Sequence, residues 1–208
     1  MKIKVKICGM REPENIREVA ACHPDFMGFI FYPGSLRFVG NDFQLPADFP
    51  EEVSRVGVFV QESPEIIFKL AELHDLDYIQ LHGGESVEQC RELKQRGLNI
   101  IKVFSVGEGF DFHEVKEFVS VADYFLFDTK SNTYGGSGKT FDWSLLNQYA
   151  ENIPFFLSGG LTPLNYDSAL QVKTTNLAAL DFNSGFEVKP GLKSSALVKS
   201  VIIKLSEL

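Results

Sequence analysis

Two side chains able to carry protons stand at the ends of short apolar runs. Cys8 closes residues 3–8 (IKVKIC), and Asp128 lies near the end of residues 124–129 (YFLFDT). A thiol and a carboxyl facing one another across a pocket can take one proton off a carbon and put another onto an oxygen without any cofactor. Each type also has a commoner use, the cysteine as a small buried apolar residue and the aspartate as a loop-turning or capping group. The chemistry therefore depends on a fold that brings the two together. It also asks for cations near Cys8, because a free thiol titrates near pH 8.5 and has to be lowered to act as a base at neutral pH.

The elements that must position them are legible as an alternation. Apolar runs rich in β-branched and aromatic residues occupy 3–8, 26–31, 55–60, 78–82, 99–104, 124–129, 154–158 and 177–182. Several are nearly continuous rather than alternating, as expected of parallel strands covered on both faces. Between them the apolar spacing becomes helical, as at Ile16, Val19 and Ala20, at Ile66, Ile67, Leu70 and Leu73, and at Leu197, Val198, Val201, Ile202 and Leu205. Ser63 before Pro64 and Thr162 before Pro163 read as N-caps followed by a first-turn proline. Eight βα units without a break in composition predict one α/β domain over residues 1–208, a single (β/α)8 TIM barrel. Pro46 and Pro50 predict a short or degenerate second helix. A doubly wound open sheet would carry a glycine-rich GxGxxG turn after its first strand, where this chain has Cys8-Gly9-Met10-Arg11.

Composition narrows the function. With 20 basic and 28 acidic side chains the net charge is −8, and no basic block is present, which disfavours a nucleic-acid partner. The apolar runs fall far short of the ~20 residues of a membrane span, and MKIKVKICGM lacks the apolar segment of a signal peptide. Cys8, Cys22 and Cys90 form neither a disulfide framework nor a CxxC pair, so a cytoplasmic setting is expected, with no structural metal. Cys22 and Cys90 fall in helical patterns and read as core. In a (β/α)8 barrel the active site lies at the C-terminal ends of the strands. The polar residues there are Cys8, Ser35, Arg37, Gln80, His82, Asp128, Lys130, Gly159, Gly160 and residues 181–185. Gln80 and His82 read as core or supporting groups.

The motifs KICGMR (6–11), FYPGSLRFV (31–39), VGVFV (56–60), IQLHGGE (79–85), FDTK with YGGSGKTFDW (127–143), LSGGLTP (157–163), DFNSGFE (181–187) and PGLK (190–193) together resemble the phosphoribosylanthranilate isomerase family over the full length. The resemblance implies a cofactor-free Amadori rearrangement of N-(5-phosphoribosyl)anthranilate in tryptophan biosynthesis, with Asp128 as general acid and Cys8 as general base. It implies that Arg37 pairs with the anthranilate carboxylate. It also implies that the phosphate rests on backbone N–H groups of Gly159, Gly160, Asn183, Ser184 and Gly185, with Asp181 as a further substrate contact. Residues 134–140 would form a loop closing over the site, with Lys139 a loop-closing charge. Asn183 stands where the family pattern leads one to expect serine, and a shortened second helix would leave the loop around Arg37 mobile. The alternatives fit less well: an indole-forming synthase would want a strand-end lysine, and a histidine-pathway isomerase an aspartate pair on strands 1 and 5. A non-catalytic phosphosugar-binding barrel would not need both Cys8 and Asp128.

Overall fold

The structure, a computed structural model, describes residues 2–130 and 140–207. Eight parallel strands close into a barrel in chain order: β1 (Lys4–Cys8), β2 (Phe26–Ile30), β3 (Ser54–Phe59), β4 (Tyr78–Leu81), β5 (Ile100–Val106), β6 (Tyr124–Thr129), β7 (Phe155–Leu157) and β8 (Leu177–Phe182). The seam between β1 and β8 puts Lys6 in register with Asp181, and on the other side Cys8 is in register with Gly28. All eight runs expected from the sequence are therefore strands.

The outer layer is less regular. Helices α1 (Pro13–Ala20), α2 (Pro64–Leu73), α3 (Val87–Gln95) and α5 (Ser195–Ser206) are full α-helices, whereas α4 (Tyr166–Ala169) is a single turn. Units five and six use 3-10 segments at Phe112–Phe118 and Trp143–Gln148. Ser63 caps α2 as its side chain accepts from the Ile66 N–H at 3.4 Å. Thr162 does not start a helix: its hydroxyl accepts from the Leu164 N–H, and the following helix begins only after Asn165. No helix joins β2 to β3, in keeping with the two prolines there; Phe43 fills the space instead, against Phe29 and Phe31. After β8 the chain forms a hairpin, β9 (Glu187–Lys189) and β10 (Leu192–Lys193), turning at Gly191 with φ +81°. Among the described residues no helix is long and apolar enough to cross a membrane.

Side chains alternate along each strand. One set packs outward against the helices, for example Ile7, Met27, Phe29, Ile79, Phe125 and Leu157. The other set fills the barrel, and at its lower end is purely apolar, with Phe26, Val56, Ile101, Val103, Leu126, Phe156 and Ala179 packed with Tyr78 and Tyr124. Above this floor the same period of two delivers polar residues to the C-terminal mouth.

Candidate active site

A cleft opens at the mouth, lined by Cys8, Ser35, Gln80, His82, Asp128, Ser158, Gly159, Gly160, Asp181, Asn183 and Ser184 over an apolar rim of Ile30, Tyr32, Val58, Val60 and Leu161. Cys8 from β1 and Asp128 from β6 thus share one cavity, as their proposed chemistry requires. Gly28 makes room for the thiol: a Cβ there would stand 2.8 Å from Cys8 Sγ. Gly159 is held at φ +90°, and a Cβ on it would strike Thr129 and come within 3.0 Å of Asp128 Oδ1. Glycine is needed there both for the left-handed backbone and for the close approach.

The Asp128 carboxylate is anchored at one oxygen and faces a histidine with the other. Oδ1 accepts the backbone N–H of Thr129 at 2.8 Å, and Oδ2 lies 3.3 Å from His82 Nε2. His82 Nδ1 in turn meets the Gln80 side-chain amide nitrogen at 3.0 Å.

Cys8 lies in a buried electrostatic cluster that the sequence reading did not include. Lys6, two residues earlier on the same face of β1, is fully buried and donates to Asp181 Oδ1 at 2.9 Å. The Lys6 ammonium is pulled down by burial, but the charge of Asp181 and the neighbouring Cys8 override this and hold its pKa above the usual lysine value. Lys193, from β10, is buried as well and donates to Asn183 Oδ1 at 2.8 Å and Glu187 Oε1 at 2.6 Å. The expectation that cations lower the Cys8 thiol is overturned in direction. Burial pushes it above the ordinary value, and Lys6 and Lys193 offset only part of that. A completely desolvated thiolate costs more than two cations return when each already shares its charge with a carboxylate.

Arg37 is not held loosely, despite the missing helix. Its Nε and Nη2 donate to the two oxygens of Glu187 at 2.8 and 2.7 Å, and the side chain is 8% exposed. Burial alone would raise the pKa of Glu187; the hydrogen bonds from Arg37 and the charge of Lys193 hold it below the ordinary glutamate value. Neither Arg37 nor Gly185 lines the cleft; Gly185 packs against Leu161, whose carbonyl oxygen would be 2.3 Å from an added Cβ. Among the residues flagged by the sequence, the cleft therefore gathers Cys8, Ser35, Gln80, His82, Asp128, Gly159, Gly160, Asp181, Asn183 and Ser184. The 134–140 stretch, apart from Thr140, lies outside the described residues. Of the other cysteines, Cys90 is buried, with burial pushing its thiol up to about 11. Cys22 is only partly buried, its thiol donating to the Glu18 carbonyl at 3.4 Å.

A closed parallel barrel with a thiol and two carboxylates gathered at the C-terminal ends of its strands is the layout of a TIM-barrel enzyme. The family model for N-(5'-phosphoribosyl)anthranilate (PRA) isomerase matches residues 5–204. An N-(5'-phosphoribosyl)anthranilate isomerase from Phocaeicola vulgatus is 49% identical over 203 residues, covering 98% of each chain. One from Parabacteroides distasonis is 46% identical, covering 95% of this chain and 91% of that one. The solved structure of the Thermotoga maritima phosphoribosyl anthranilate isomerase superimposes with a TM-score of 0.85 at 37% identity, covering 99% of this chain and 100% of that one. A phosphoribosyl anthranilate isomerase in complex with reduced 1-(o-carboxyphenylamino)-1-deoxyribulose 5-phosphate matches at TM-score 0.79 and 32% identity, again over 99% and 100%. The chain belongs to the N-(5'-phosphoribosyl)anthranilate isomerase family and is an isomerase.

Proposed function

We propose that the chain, acting as a single domain in the cytoplasm, converts N-(5'-phosphoribosyl)anthranilate to 1-(2-carboxyphenylamino)-1-deoxyribulose 5-phosphate in tryptophan biosynthesis. The observation that carries the reading is the convergence of Cys8 and Asp128 on one cleft that also holds Gly159, Gly160, Asn183 and Ser184. Asp128 gives its proton to the furanose ring oxygen as the C1–O bond breaks, and the nitrogen lone pair completes a C=N bond. Cys8, as thiolate, takes the proton from C2; the electrons of that bond form C1=C2 and return the iminium nitrogen to an amine. The resulting enolamine becomes the ketone when C1 is reprotonated and the enol oxygen loses its proton. The substrate gains a proton at the ring oxygen and one at C1 and loses one from C2 and one from the enol oxygen, so the sum is an isomerisation.

Binding divides along the cleft. Gly159 and Gly160, at φ +90° and +68°, open the backbone toward the phosphate beside Asn183 and Ser184, with Gly185 supporting the turn from behind. Arg37, outside the cleft, spends one edge of its guanidinium on Glu187, and pairing with the anthranilate carboxylate requires its other edge to reach the rim. Asp181, held by Lys6, borders the reacting carbons. The test is an assay with N-(5'-phosphoribosyl)anthranilate and no added metal or cofactor, following the loss of arylamine fluorescence. Turnover is expected, and kcat/KM should climb with pH through the neutral range, because burial has raised the Cys8 thiol and the thiolate fraction grows with pH. No isomerised product at any enzyme concentration would falsify the assignment; a profile already flat from pH 6 would remove Cys8 as the titrating base.

A further inference from the structure

We infer that His82 and Gln80 form a positioning pair that makes Oδ2 of Asp128 the oxygen that delivers the proton, with Gln80 linking that arrangement to a sugar hydroxyl of the substrate. The inference rests on the isomerase reading above and deepens it. Three observations carry it. First, the two oxygens of Asp128 are not equivalent. Oδ1 accepts the Thr129 N–H at 2.8 Å, which favours an unprotonated oxygen, whereas Oδ2 stands 3.3 Å from His82 Nε2 without a formed hydrogen bond and is the oxygen available to carry the proton. Second, the Gln80 amide nitrogen sits 3.0 Å from His82 Nδ1. With the amide nitrogen turned toward the ring, Nδ1 is the acceptor and the ring proton lies on Nε2, the nitrogen 3.3 Å from Asp128 Oδ2. Third, the other atom of that amide, Gln80 Oε1, is buried just beneath the cleft that its residue borders, and has no hydrogen-bond partner among the described residues.

A buried acceptor without a donor is costly. A polyhydroxylated sugar in the cleft supplies the missing donor. An O–H bound at Oε1 fixes the amide with its nitrogen toward His82, and so fixes the tautomer of the imidazole. The energetic consequence falls on the transition state. While Asp128 is protonated at Oδ2, that oxygen is a weak acceptor for the Nε2–H. As the proton leaves for the ring oxygen, Oδ2 gains negative charge and draws the Nε2–H into a hydrogen bond across the 3.3 Å gap. An interaction that grows only along the reaction coordinate raises kcat and leaves KM nearly unchanged. His82 and Gln80 act through Asp128 and are positioning residues.

The experiment combines kinetics with a spectroscopic readout. His82→Leu is expected to lower kcat by ~10- to 100-fold, the span of one hydrogen bond to a developing charge, with KM within about threefold of wild type. His82→Gln, whose terminal amide places a donor near the original Nε2, should recover most of the loss. In an Asp128→Asn background His82→Leu should add less than about twofold, because the partner is already gone. Gln80→Leu should lower kcat by ~3- to 10-fold in the same direction. Independently of turnover, 15N NMR of the wild-type imidazoles at pH 8 should show His82 as the Nε2–H tautomer, and Gln80→Leu should convert it to a mixture. A kcat within threefold of wild type for His82→Leu, His82→Gln no better than His82→Leu, or an Nδ1–H tautomer in the wild type would each overturn the positioning role. Lack of wild-type turnover would instead overturn the proposed reaction, and the tautomer would still decide the positioning.

Discussion

The floor and the mouth of the barrel are built from the same strands, two residues apart, and they do opposite work. On β4 the inward series runs from Tyr78 to Gln80 and His82, on β6 from Tyr124 through Leu126 to Asp128, and on β8 from Ala179 to Asp181 and Asn183. At the floor, Phe26, Tyr78, Tyr124 and Phe156 pack with ring centroids 5.0 to 6.4 Å apart, in tilted or edge-on contact. At the mouth the inward groups are charged or polar and tied to one another by hydrogen bonds. One step along the pleat thus separates a layer that holds the barrel shut from a layer whose groups are placed for a substrate. Stability and activity should therefore respond to different substitutions on the same strand.

The largest effect expected is at the floor. Phe156→Ala removes a fully buried ring that touches two neighbours and should cost about 3–5 kcal/mol in chemical denaturation, with kcat per folded molecule nearly intact. A proportional loss of kcat would show that the two layers are not separable. Next comes the mouth, where Cys8→Ser and Asp128→Asn should each lower kcat by ~10²-fold or more with the thermal midpoint close to wild type. Near-normal turnover in either variant would strike that residue from its role. Arg37→Ala should raise KM about tenfold, the worth of one charged hydrogen bond, while also leaving Glu187 with Lys193 as its sole cation. An unchanged Michaelis constant would confine Arg37 to holding the hairpin. The smallest effect is on the pH dependence of stability. Glu187 and Glu85 are both held below the ordinary glutamate value, Glu85 because Lys102 and backbone N–H groups outweigh its burial. Their contributions are complete above the unfolded value near 4.5 and are lost as the pH falls through the lower folded values. Thermal midpoints should drop on acidification below about pH 4.5, and Glu85→Gln should flatten that fall.

The strands were legible because burial on both faces leaves continuous apolar runs, and Cys8 and Asp128 were legible because they interrupt such runs at the catalytic end. The outer layer was less so. Thr162-Pro163 carries the cap pattern of a helix, yet the segment makes a turn and only the single turn Tyr166–Ala169 follows. Local propensity did not decide the outcome there. The β9–β10 hairpin had a signal that was passed over, the Pro190-Gly191 pair between two short runs. Lys6 had one too: a lysine inside an apolar strand, at the same parity as Cys8, must point into the barrel and needs a partner. Which partner it takes could not be read locally, since Asp181 is 175 residues away. The resemblance implies only a substrate role for Arg37; its partner Glu187, 150 residues distant, is invisible to spacing.

The distances along the chain bridged by that cluster have a consequence for how the protein comes into being. Cys8 is synthesised more than 170 residues before Asp181, Glu187 and Lys193, and Lys193 is also clasped through its backbone by Asn15. Contacts of such separation form only when the ring of strands is sealed. A partly made or unsealed chain therefore exposes an ordinary thiol with none of its charged surroundings, and competence arrives in the final step of assembly.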